Sequence, residues 1–143
     1  MQTHDHDAQP PRAWRRSLLA YAWAFFPGTL LGLCCLAPAL LGGGRCRRVN
    51  GCLEIHGGLV TWFLRRGLPW LRGASAMTLG HVVIGQDESC LDHSRDHEHV
   101  HVRQYERWGP LFLPAYFMAS LWAWCRGKSP YWDNRFEREA YGK

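Results

Sequence analysis

From Leu18 to Leu41 the chain carries no charged residue, and this run limits what the rest of the chain can be. As a helix its 24 residues would extend about 36 Å, enough for one crossing of a ~30 Å hydrocarbon layer. Tyr21 and Trp23 suit an interfacial position near one end. Pro27-Gly28 and Pro38 would kink the helix, which membrane helices tolerate. The chain is 47% hydrophobic, yet its mean hydropathy is −0.28, so the apolar residues are concentrated beside a charged remainder. A single transmembrane anchor is the first expectation. A cleaved export segment is the second, because Arg15-Arg16 precede the run and Ala37-Pro38-Ala39 resembles a cleavage site. A core helix or helical hairpin is the third.

The net charge is +5 and the pI about 9.1. The basic residues come as Arg15-Arg16, Arg45 with Arg47-Arg48, and Arg65-Arg66, around apolar runs. That arrangement predicts a lipid membrane as partner and no nucleic acid, for which no motif is present. Arg12, Arg15 and Arg16 precede the run, while Arg45, Arg47, Arg48, Arg65, Arg66 and Arg72 follow it. The excess after the run predicts that residues 45–143 are cytoplasmic. Residues 1–17, with His4, His6 and Pro10-Pro11, read as a disordered tail. The organisation expected is a tail over 1–17, a membrane segment over 18–44, and one domain over 45–143.

The second constraint is His97-Glu98-His99-Val100-His101. Two histidines four apart on a helix project from one face, so both imidazoles can reach one ion. With eight histidines in the chain, chance yields about 0.02 His-Glu-x-x-His matches, although the local richness in His and acids raises that figure. Asp92, Ser94 or Asp96 can cap the start of the helix and Gly109-Pro110 stops it. His97, His101, Tyr105 and Trp108 then share a face. A zinc site needs a third protein ligand and a water. Asn134 to Tyr141 offers Glu137 and Glu139.

Residues 92–141 thereby resemble the gluzincins, metallopeptidases with two His and one downstream Glu as ligands. In the membrane-bound members the downstream helix reads Glu-x-x-Ala-Asp, and Glu137-Arg138-Glu139-Ala140 matches its first four positions. Tyr141 stands where that pattern has Asp. The resemblance implies Zn²⁺ held by His97, His101 and Glu137, with Glu139 as the alternative third ligand and His93 as a further alternative. It implies Glu98 as general base for a zinc-activated water that attacks the bond of a peptide or protein substrate. Tyr131, Tyr141, His81 and Arg138 are candidate donors to the oxyanion. A catalytically inert zinc-binding membrane protein, acting as scaffold or partner, is the alternative.

The fold expected is α+β: a zincin-like lobe of few antiparallel strands, the ligand helix, an apolar connecting helix and a C-terminal Glu helix, behind an N-terminal transmembrane helix. Asn50-Gly51 predicts a hairpin turn. Leu59 to Leu64 reads as a strand or a short interfacial helix, and Met77 to Gly85 as the strongest strand. Pro110 to Cys125 is uncharged but short for a bilayer, and reads as a buried or membrane-embedded helix. None of the six cysteines forms a Cys-x-x-Cys pair, which predicts free thiols, with Cys90 near enough to the ligand helix to be a latent ligand.

Overall fold

A computed structural model describes residues 18–67 and 73–142; the tail expected over 1–17 lies outside them. Arg45–Val49 (β1) and Cys52–His56 (β2) form the expected hairpin. Its turn is Asn50-Gly51, at φ 49° and 80°, the left-handed pair that matches strand twist. The stretch read as one strand from Met77 to Gly85 is two: Ala76–Leu79 (β3) and Val82–Gly85 (β4) pair antiparallel about Gly80-His81. The apolar pattern runs through the reversal and conceals it.

The sheet order is β1-β2-β4-β3, and β2 runs parallel to β4. The sheet is therefore mixed, not purely antiparallel as expected. The cause is the crossover: the chain leaves β2 through Gly58–Trp62 (α4) and returns as a hairpin whose second strand lies beside β2. Of the two readings of Leu59 to Leu64, the helix is the one formed: the chain is helical from Gly58 to Gly67.

Strand alternation sends alternate side chains to opposite faces. Ile55, Val82 and Ile84 pack with Ala39, Val60 and Leu64 on one face. Cys52 and Val83 pack with Leu91 and Val102 on the other. The first face is covered by Leu30–Cys34 (α2) and Leu36–Leu41 (α3) of the apolar segment together with α4, while Leu18–Ala24 (α1) packs on the helix Glu88–Trp108. By length and composition the segment can cross a membrane. Its continuity is broken at Phe26, extended at φ −108° and ψ 134°, as the residue before a proline favours. Its inward side is small. A Cβ at Gly28 would come within 2.5 Å of the Tyr105 ring, and one at Gly32 within 2.5 Å of Val82.

The second face is covered by Glu88–Trp108 (α5), a 21-residue helix. It begins before the expected caps because Asp87 accepts from the Cys90 amide at 2.7 Å, while the Ser94 hydroxyl bonds back to Cys90 O inside the helix. Gly109, at φ 54°, ends it. Phe112–Cys125 (α6) follows, then Arg135–Ala140 (α7), capped by the Asn134 side chain on the Phe136 amide. Ala24, Tyr105, Phe112 and Phe136 form one buried cluster that joins α1, α5, α6 and α7. The α+β class is as expected. Of α6, however, only Phe112 and Ala123 are buried.

Candidate metal centre

His97 and His101 are one turn apart on α5, and α7 brings Glu137 across to them. Phe136, buried between Trp108, Phe112 and Tyr116, fixes α7 at the depth where the next side chain meets both imidazoles. The candidate ligand atoms of His97, His101 and Glu137 all lie within 4.8 Å of one another. His97 Nε2 is 3.1 Å from His101 Nε2. Glu137 Oε2 is 3.3 Å from His97 Nε2, and Oε1 is 3.3 Å from His101 Nε2.

These spacings test whether zinc fits. Atoms bound at about 2.0–2.1 Å around a tetrahedral ion are about 3.3 Å apart. The His97–His101 edge is close to that spacing, and each imidazole has one Glu137 oxygen at it, a different oxygen for each. The side-chain chemistry agrees as well. Glu137 Oε2 is buried with no hydrogen-bond partner among the described residues, as is His97 Nδ1. An orphaned carboxylate oxygen facing the His97 Nε2, with the second oxygen facing His101, is what a shared cation resolves.

Gln104, fully buried, sets the tautomer of His101. Its Nε2 donates to Phe136 O and to Glu139 Oε2, both at 3.0 Å. The amide oxygen is thereby turned to His101 Nδ1 at 2.8 Å and must accept a proton from it. The lone pair of His101 is left on Nε2, toward His97 and Glu137. Gln104, backed by Glu139, thus orients the His101 ring from behind. Glu139 is committed to Gln104 and to Arg107 at 3.1 Å and lies outside the cluster. His93 is exposed and also outside it.

Burial alone would raise the Glu137 carboxyl, but the imidazoles of His101 and His97 beside it and the hydrogen bond from the Tyr116 hydroxyl (2.6 Å) hold it far below the usual carboxylate range. Burial would lower His101, but Glu137 lifts it above its ordinary value. Glu98 is buried beside the cluster, and that burial pushes its carboxyl up despite the nearby His101 and a bond from Thr78 Oγ1 to its Oε2 at 2.7 Å.

The candidate oxyanion donors separate. The Tyr141 ring is 4.3 Å from that of His97, and its hydroxyl is 3.1 Å from the Tyr131 hydroxyl. His81 is turned elsewhere, with Nε2 on Glu106 at 2.9 Å and its ring 4.3 Å from Tyr21. No contact of Arg138 with the cluster is among those described, and Cys90 is likewise outside it. No disulfide joins the cysteines among the described residues. Thr78, Gln104 and Tyr116 were not found by sequence reasoning. Gln104, three residues after His101, shares its helix face and carried a signal; Thr78 and Tyr116 meet the site only through tertiary packing.

Comparison with protein-family models, curated proteins and solved structures finds no match to this chain.

Proposed function

We propose that the protein is a membrane-associated, zinc-dependent metallopeptidase of the His-Glu-x-x-His type. The observation that carries this reading is the cluster of His97, His101 and Glu137, whose candidate ligand atoms lie within 4.8 Å of one another. A zinc ion held there supplies Lewis acidity, lowering the pKa of a water toward about 7 and polarising a carbonyl.

The chain's own residues do the rest. Gln104 keeps the His101 Nε2 lone pair inward. Glu98 is the base. Thr78 steadies its Oε2, and the raised carboxyl suits taking a proton from water and returning it to the leaving nitrogen. The Tyr131 and Tyr141 hydroxyls are candidates to steady the charge on the carbonyl oxygen. β3 is one of the two edge strands of the sheet, and an extended peptide can add to such an edge through backbone hydrogen bonds. The reading includes a membrane location through Leu18–Leu41, with residues 45–143 on the cytoplasmic side.

The test is cleavage of a mixed peptide pool by the detergent-purified protein beside Glu98→Gln. Chelator-sensitive cleavage that falls by at least about 10²-fold in the variant, with zinc retained, is the expected result. Equal cleavage by the variant refutes the role of Glu98. Zinc retained in both with no cleavage of any peptide supports the inert scaffold instead.

A further inference from the structure

Most of the exposed large apolar residues lie on the first segment, on α4 and on α6, while Trp132 and Tyr141 are exposed near the candidate metal centre. Leu18, Leu19, Trp23, Leu30, Leu31 and Leu41 face outward along the first segment. Leu59 and Trp62 do so on α4, and Phe63 just after it. Phe117, Met118, Leu121, Trp122 and Trp124 do so on α6, with Trp124 65% exposed. At one end the segment meets α4 so closely that a Cβ at Gly42 would lie 2.8 Å from the Gly58 Cα. At the other end the Trp23 indole packs on Gly109, and Ala24 shares a buried cluster with Phe112, the first residue of α6. A monomer in water rarely exposes so much contiguous apolar surface.

The polar surface is on the opposite side. Across the sheet, Asp92, His93, Asp96, Arg103 and Arg107 on α5 are exposed. Between the two surfaces the segment runs lengthwise along the domain: Gly28 abuts Gly80, Gly32 abuts Val82, Ala39 joins Ile55, and Gly44 abuts Gly57. Stood upright through a bilayer, it would carry the sheet and α5 to the same depth and set those charges in hydrocarbon, which is costly. Laid flat, it meets lipid with its outer face and leaves α5 in water. The break at Phe26 agrees, since the seven residues of α1 reach only about 10 Å. The rim is basic. Arg65 and Arg66 follow α4, and Arg126 and Lys128 follow α6, with the Arg126 guanidinium 4.3 Å above the Trp122 ring. Tryptophan beside cations suits an anionic lipid surface.

We propose that Leu18–Leu41 lies along the membrane surface rather than through it, and that its outer face, with those of α4 and α6, forms one lipid-contacting surface. The partner is an anionic bilayer, entered from one side only. The proposal stands independently of the metal.

The full chain, carrying a different protease-cleavable tag at each end, is bound to sealed vesicles of equal parts phosphatidylcholine and phosphatidylglycerol. Protease is then added outside. Loss of both tags from the same molecules is expected. Retention of one tag until detergent opens the vesicles shows a crossing and overturns the proposal. Failure to bind the vesicles overturns it too, including the case of a soluble dimer that hides this face against a second copy. With brominated acyl chains in the same vesicles, quenching of tryptophan emission should fall clearly in Trp122→Phe/Trp124→Phe. Unchanged quenching in that variant removes α6 from the lipid surface.

Discussion

Gln104 carries no charge, yet it decides which nitrogen of His101 points inward, because its amide is pinned by two acceptors on the far side. Replacing it with Leu removes that constraint and strands both Glu139 Oε2 and the Phe136 carbonyl. Groups that orient a metal-ligating histidine in this way are worth about 10–100-fold in metal affinity. Gln104→Leu should weaken zinc binding by that factor in a competition titration. Equal affinity in the variant would show that Gln104 orients nothing. The two histidines and Glu98 were legible in the sequence because their relation is set by helical spacing alone. The choice between Glu137 and Glu139 was not, since it depends on Gln104 and Arg107 engaging Glu139 from another helix.

α5 is tied to the sheet by charge as well as by packing. Glu54, on β2 and buried, accepts from Arg95 at 2.9 Å and from Arg47 at 2.8 Å, and Arg47 also reaches Glu88 and Asp92 on α5. Burial would raise the Glu54 carboxyl, but the bonds from Arg95 and Arg47 prevail and lower it from its ordinary 4.5. A carboxyl lowered on folding adds stability above its unfolded pKa and loses it as the pH falls through the folded one. Unfolding free energy should therefore decline below about pH 4.5, and Glu54→Gln should flatten that decline. The same substitution should cost about 2 kcal/mol at neutral pH, less than the roughly 3–5 of a fully buried pair because both guanidiniums keep contact with water. On the other face, Gly32→Leu forces a side chain into Val82. It should destabilise by about 1–3 kcal/mol in chemical denaturation. No effect would mean that the segment stands off the sheet. Element boundaries tell the same story as the site: the Asn50-Gly51 hairpin was legible from two residues, whereas the Gly80-His81 reversal was hidden in an apolar alternation that continues on both sides.

At the scale of the whole molecule, three layers divide its tasks. The apolar segment with α4 forms one surface, the sheet sets the register, and α5 carries two candidate ligands to meet the third from α7. The exposure of α6 was illegible in the sequence because an uncharged run reads alike whether protein or lipid covers it. The account depends most on the meeting of His97, His101 and Glu137 being a metal centre. The direct measurement is elemental zinc in the detergent-purified protein beside His97→Ala and Glu137→Ala. About one zinc per chain, lost in both variants, is the result expected of a three-ligand site. No zinc, or zinc indifferent to both substitutions, would contradict the account and leave the cluster as a buried histidine–carboxylate pair.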